Sequence, residues 1–197
     1  MPWETDLSET LKKLNSGSTW SVPTGKPLDK TGLSAVLVPI AFNPVSCRHE
    51  ILLTKRSQHV ETHKGQISFP GGFLEDHDET LTHAATREAF EEIGLRPESV
   101  TILGALNPVQ TRFSVTIYPW IGRFDLPYDF RLNESEVERI ITLPIEELLS
   151  KGLSPTIVDI AGLKLTSPGI WADGELVWGA TAKILEELRT FLLPIKF

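Results

Sequence analysis

The stretch QISFPGGFLEDHDETLTHAATREAFEEIG, residues 66–94, constrains this chain more than any other. QISFP reads as a short extended segment that stops at Gly71-Gly72. An acidic loop follows, and TLTHAATREAFEEIG then takes up helical periodicity, with Ala84, Ala85, Ala89 and Ile93 on one core-facing side. Gly94 marks the end of that helix. A strand, a tight glycine turn and an amphipathic helix in direct succession call for a layered fold, with the helix laid on a sheet.

The same helix carries a cluster of like charge. Glu88, Glu91 and Glu92 stand at i, i+3 and i+4, so their carboxylates share one face. Arg87 lies four residues before Glu91 and can pair with it, but one guanidinium does not neutralise three carboxylates. On an exposed face the repulsion costs only a few tenths of a kcal/mol per pair and the cluster is an ordinary solvated surface. On a buried face it requires cations, and Mg²⁺ takes one or two carboxylates together with substrate phosphates. The Gly-Gly turn favours the second case, because glycine lets backbone approach a metal or phosphate closely. Glu75, Asp76, Asp78 and Glu79 add carboxylates just upstream, where Glu75 and Asp76 read first as a solvated turn.

The rest of the chain supplies the sheet. SAVLVPIAF is nearly continuously apolar, as a buried strand is, and EILLTKRS follows after a turn that contains Cys47. SVTILGALNPVQT and VTIYPWIGRF read as further strands, and LNESEVERIITLPIEELLSKG as a polar turn, a strand and a short helix. LKLTSPGIWADGELVWG is a hairpin with its turn at Asp173-Gly174, flanked by Trp171 and Trp178. GATAKILEELRTFLL closes the chain as an amphipathic helix through Ala182, Leu185, Leu188 and Leu192. At the other end, DLSETLKKLNSG places Leu7, Leu11 and Leu14 on one helical face, with Asp6 as N-cap and Gly17 as stop; a Gly, Ser and Pro-rich loop follows. Residues 1–32 are thus an N-terminal extension and 33–197 one α/β domain, a mixed sheet flanked by helices.

Composition narrows the function. The 197 residues carry a net charge of −7 and no long run of like charge, which argues against nucleic acid or an anionic membrane as partner. One cysteine permits no internal disulfide and suits a reducing cytoplasm. No apolar stretch approaches the roughly 18 residues of a membrane span.

GGFLEDHDETLTHAATREAFEEIGL resembles the Nudix box, G-x5-E-x7-R-E-U-x-E-E-x-G-U with U aliphatic. Arg87, Glu88, Ala89, Glu91, Glu92, Gly94 and Leu95 match in register. Gly72 sits one residue early, so the loop is longer by one, and either Glu79 or Asp78 fills the acidic position. LLTKRSQHVETHKGQISFPGG, residues 52–72, is similar to the segment before the box in the coenzyme A pyrophosphatase branch of that family. That branch shares the extra loop residue and the aspartate at the position of Asp78.

The resemblance implies a Nudix-type α/β/α sandwich. It also implies hydrolysis of coenzyme A and its thioesters to 3′,5′-ADP and a 4′-phosphopantetheine moiety, with Mg²⁺ or Mn²⁺. By position, Glu88, Glu91, Glu92 and the Gly72 carbonyl are implied metal ligands, with Arg87 orienting Glu91 and Glu136 a further carboxylate from a distant loop. His63, Gly65 and Gln66 either contact substrate phosphate or shape the turn below the box. Lys55 and Arg56 can attract phosphate, but neighbours on a strand alternate, so only one faces the site. A homodimer is in keeping with the family. The competing readings are a pyrophosphatase acting on ADP-ribose or another nucleoside diphosphate derivative, and a Nudix fold kept as a non-catalytic binding module.

Overall fold

The computed structural model of the chain describes residues 2–15, 32–112, 114–160 and 162–195. The expected stop at Gly17 and the Gly, Ser and Pro-rich loop after it lie outside the described residues. The first half contains α1 (Pro2–Asn15), β1 (Leu33–Asn43), β2 (Arg48–Arg56), β3 (Ile67–Ser68), β4 (Gly71–Phe73) and α2 (Leu81–Ile93). Then come β5 (Thr101–Ala105), β6 (Val109–Gln110), β7 (Thr116–Asp125), β8 (Val137–Pro144) and α3 (Ile145–Lys151). The chain ends with β9 (Ser154–Ile160), β10 (Leu163–Ala172), β11 (Glu175–Trp178) and α4 (Gly179–Leu192).

The main sheet is mixed. β1 runs parallel to β7, and its other edge is shared: Ala35 lies opposite Gly72 of β4, and Ile40 opposite Ile51 of β2. β8 extends the sheet beyond β2, β5 and β6 pair with β7, and β3 pairs with β2. Alternation along β1 divides the core in two. Ala35, Leu37 and Ala41 pack under α2 with Leu81, Ala84, Ala85, Ala89 and Ile93. Val36, Val38 and Ile40 face the opposite layer, with α1, α3 and α4. The result is the α/β/α sandwich expected from the sequence, and the predicted core face of α2 is buried as read.

Local signals set the ends of α2. The Thr80 side chain accepts from the His83 N–H, and Gly94 closes the helix at φ 71°, where its N–H bonds back to Phe90 and a Cβ would crowd the Arg131 backbone. Cys47 is exposed in the turn between β1 and β2, as expected.

Two readings change. Asp6 is not an N-cap: α1 already begins at Pro2, and Asp6 lies inside it, its carbonyl accepting from the Thr10 hydroxyl. Trp3, buried at the start of the helix beside Leu7 and Leu11, supplies the reason, because its burial outweighs a local cap. The C-terminal hairpin is also larger than its two strands. β9 pairs with β10 from Leu163↔Ile160 to Gly169↔Ser154, giving a second, three-stranded sheet.

Leu7 is wholly buried in the same cluster as Leu185 and Leu188 of α4. Leu7→Ala is therefore expected to cost about 2–5 kcal/mol in urea unfolding. A loss below about 0.5 kcal/mol, the range of a surface change, would mean that α1 is not packed as described.

Candidate active site

Arg87 is the centre of the cluster that the sequence placed on one helix face. Its side chain is buried, and each nitrogen has an acceptor. Nε and Nη2 grip the two oxygens of Asp78 at 3.1 and 2.9 Å. Nη1 donates to Glu88 at 3.0 Å and to Glu91 at 2.9 Å, and Nη2 also reaches the Phe73 carbonyl at 3.3 Å. The predicted Arg87–Glu91 pair is present, but the principal partner is Asp78.

That decides the ambiguity in the acidic loop. Asp78 is buried and Glu79 is exposed. The Glu75 N–H donates to Asp78 at 2.9 Å, and Asp78 closes the turn through its own N–H to the Glu75 carbonyl. Burial alone would raise the Asp78 pKa, but the Arg87 guanidinium and the Glu75 N–H hold it below the usual carboxylate range. Arg87 is in turn held more firmly protonated, chiefly by Asp78.

Glu92 is in the opposite condition. Only 2% of it is exposed, and its Oε2 has no hydrogen-bond partner among the described residues. Burial pushes its pKa up to about 8, and repulsion from Glu88 and Glu136 adds to that; Arg56 and the Gly71 N–H oppose it. Glu88 is raised for the same first reason, burial, with Glu91 and Glu136 contributing. Glycine at position 72 allows this packing, because a Cβ there would overlap the Glu88 carboxylate.

Two further segments close the cleft. The loop before β8 is strapped to the end of α2, with the Asn133 N–H on the Glu92 carbonyl at 2.9 Å and the Arg131 N–H on the Ile93 carbonyl at 3.0 Å. Asn133 also donates from its amide to Glu136, and the Glu136 carbonyl accepts from the Ser57 N–H. Glu136, distant in sequence, is thereby brought within electrostatic reach of Glu88 and Glu92. Asn133 escaped the sequence reading, although the NES stretch is an Asx-turn signal that could have found it.

The second segment is the loop between β2 and β3. Arg56 and Gln66 clasp its base, N–H to carbonyl at 3.0 Å, and the Gly65 N–H bonds the Arg56 carbonyl at 3.1 Å. His63 is exposed, at φ 58°, and its ring meets the Gln66 side chain at 3.0 Å. His63, Gly65 and Gln66 thus hold the backbone around Arg56. Arg56 itself acts on Glu92, and its buried Nε has no partner among the described residues. Lys55 is carried away from this cleft, to Glu138 and Glu175 at 3.0 Å each. Alternation explains the split: Leu52 packs on the α2 side and Leu53 on the other, and Arg56 and Lys55 continue these two rows.

Among the described residues, no three His, Cys, Asp or Glu side chains stand close enough together to hold a metal ion, and Arg87 is bonded to both Glu88 and Glu91. The donor set still fits a divalent cation. Glu92 presents an orphaned buried oxygen, Glu88 is pressed against the Gly72 backbone, and burial, with the neighbouring carboxylates after it, raises the pKa of both. Such an ion would take carboxylates from the protein and its remaining oxygens from a phosphate ligand.

Comparison with known proteins gives a consistent picture. The NUDIX domain family matches residues 33–160. A protein of Shigella boydii serotype 4, named uncharacterized Nudix hydrolase NudL, is 37% identical over 158 residues, covering 79% of this chain and 80% of its own length. A MutT/nudix family protein from Enterococcus faecalis superposes with a TM-score of 0.52 at 13% identity, over 96% of this chain and 73% of its own. The NUDIX domain of Shewanella oneidensis NrtR, in complex with ADP ribose, gives a TM-score of 0.46 at 17% identity, over 71% and 86%.

Two outcomes follow from the geometry. Asp78→Ala leaves the buried Arg87 Nε without an acceptor, while Glu88 and Glu91 still pair with Nη1, and should cost about 1–3 kcal/mol; Glu79→Ala should stay within about 0.5 kcal/mol, both by chemical denaturation. Equal effects would contradict the pairing. Because Glu92 binds its proton more tightly folded than unfolded, its contribution to stability is present at low pH and lost as pH rises toward about 8. In chelator, the melting temperature should therefore fall over that interval, with the fall smaller in Glu92→Gln; parallel curves would contradict the burial of this charge.

Proposed function

The chain belongs to the Nudix hydrolase family and is a pyrophosphatase of that family; on that premise we propose that the diphosphate it cleaves is that of coenzyme A and its thioesters. Water attacks one phosphorus, the P–O–P bridge breaks, and the products are 3′,5′-ADP and 4′-phosphopantetheine or its acyl form. Nudix hydrolases use divalent ions, and a bound Mg²⁺ or Mn²⁺ would neutralise the diphosphate oxygens and lower the pKa of water. Glu88, Glu91, Glu92 and the Gly72 carbonyl would hold it, with Glu88 and Glu91 oriented by Arg87.

The observation that carries this reading is the pair of unmet buried atoms, Glu92 Oε2 and Arg56 Nε, on side chains within electrostatic reach of each other. A buried carboxyl oxygen and a buried guanidinium nitrogen, each without a hydrogen-bond partner among the described residues, suit a ligand that brings a cation to one and a phosphate to the other. Arg56 binds phosphate and Arg87 keeps Glu88 and Glu91 aligned. A carboxylate of the set, with Glu136 beside it, accepts the proton of the attacking water. His63, Gly65 and Gln66 act through Arg56, by fixing its backbone. Lys55 serves the charge network with Glu138 and Glu175 rather than the substrate. The choice of coenzyme A rests on the segment 52–72, and the single cysteine favours the cytoplasm. No helix among the described residues is long and apolar enough to cross a membrane.

A panel of coenzyme A, ADP-ribose and NADH with Mg²⁺ or Mn²⁺, resolved by chromatography, tests the substrate. Coenzyme A should be turned over fastest; preference for ADP-ribose would support the other pyrophosphatase reading, and no turnover of any of them would leave a binding module. Glu92→Gln should lower kcat by at least about 10²-fold with the fold intact, on the scale of lost general acid–base or charge stabilisation. Arg56→Ala should act mainly on KM. Near-normal turnover in Glu92→Gln would remove the metal-site reading.

A further inference from the structure

A second cleft opens beside the carboxylate cluster. It holds about 310 Å³ between Ser57, Gln58 and His59, which follow Arg56, and Leu132, Glu134 and Val137 around the start of β8. The two walls are tied together, because the Ser57 N–H donates to the Glu136 carbonyl at 2.8 Å. The cleft therefore begins next to Arg56 in the chain and has Glu136 between residues of its far wall. A ligand whose phosphate meets Arg56 can extend into it.

Its walls are built. Val137 is 1% exposed, and Leu132 packs against the core layer beneath α2, which gives an apolar floor. Ser57 is 4% exposed; its hydroxyl oxygen accepts the His59 N–H at 3.2 Å and keeps a proton to donate. The Gln58 amide lies over Gly65, where a Cβ would meet its Nε2 at 2.7 Å. Gly65 thus makes room for Gln58 to form the wall.

Charge selects what such a cleft takes. Among the described residues, no lysine or arginine lines it. Glu138, at its edge, is bonded to Lys55 at 3.0 Å, and Glu134 adds a carboxylate of its own. A phosphate here would meet like charge. An uncharged chain with amide groups would find a hydroxyl, an amide and a carboxylate to bond, and an apolar floor for its methylenes. Ligand sites run from roughly 300 to 1,000 Å³, so this one suits a single arm of a two-armed diphosphate.

We propose that this cleft binds the uncharged, amide-bearing arm of the substrate, the pantetheine end of coenzyme A, and that the 3′-phosphoadenosine end lies on the other side of the diphosphate. Gln58 and Glu134 are then specificity-determining residues, with Glu134 accepting from an amide N–H of the arm. The identity of the arm rests on the coenzyme A reading; the class of ligand rests on the cleft.

Two measurements test this. In metal-free protein, backbone amide NMR is recorded with millimolar pantetheine and, separately, with 3′,5′-ADP. Pantetheine should shift the amides of Gln58, His59 and Glu134, and 3′,5′-ADP should leave them in place. In kinetics, Gln58→Ala combined with Glu134→Ala should raise KM roughly 5- to 10-fold with kcat kept. The rise should be equal for coenzyme A and dephospho-coenzyme A, which share the arm. An unchanged KM, or a rise confined to coenzyme A, would overturn the proposal. Coenzyme A turnover without pantetheine shifts would also overturn it, while leaving the substrate reading intact. Pantetheine shifts in a protein that turns over ADP-ribose alone would remove the substrate reading and uphold the ligand class of the cleft.

Discussion

Arg87 is held between one carboxylate behind it and two in front. Asp78 satisfies it from the acidic loop, leaving Nη1 to hold Glu88 and Glu91. A guanidinium is suited to this because its fork is rigid and it stays charged when buried. The interaction also links separate parts of the fold. It fixes the loop after β4, the Phe73 carbonyl and the working face of α2 against one another. Without it the acidic loop has no reason to fold back over the helix, and Glu88 and Glu91 have no fixed direction.

Glu92 lies beyond the reach of that brace. It is buried near Glu88 and Glu136, with Arg56 as its chief counter-charge. Folding energy from the apolar layer under α2 holds it there, since Ala89 and Ile93 are fully buried beside it in sequence. The site therefore holds a carboxyl that burial keeps from ionising. Burial first, and the neighbouring carboxylates after it, disfavour the charged forms of Glu92 and Glu88; in the proposed function a bound cation would favour them.

Much of this was legible in the sequence because it is local. The period of Ala84, Ala85, Ala89 and Ile93, the helix stop at Gly94 and the Asp173-Gly174 turn depend on near neighbours, and each appears in the structure as read. Strand alternation correctly separated Lys55 from Arg56, though not which of them faces the carboxylates. That depends on the register between β2, β8 and β11, which spans more than a hundred residues. Asp78 and Glu79 are adjacent acids in one loop, and only the folded turn buries one and exposes the other. Asn133 and β9 were missed for a related reason: their partners, Glu92 and β10, are set by tertiary packing. Asp6 was misread because Trp3 gains more from burial than the helix gains from a cap.

The central claim is that Glu92 is a buried carboxyl kept protonated near neutrality until a cation arrives. Carbon-13 NMR of the glutamate side-chain carboxyls, titrated with pH in chelator and again in Mg²⁺, measures it directly. The account predicts one carboxyl, lost in Glu92→Gln, that titrates near pH 8 without the ion and far lower with it. If every glutamate titrates in the ordinary carboxylate range and none responds to Mg²⁺, the account is wrong.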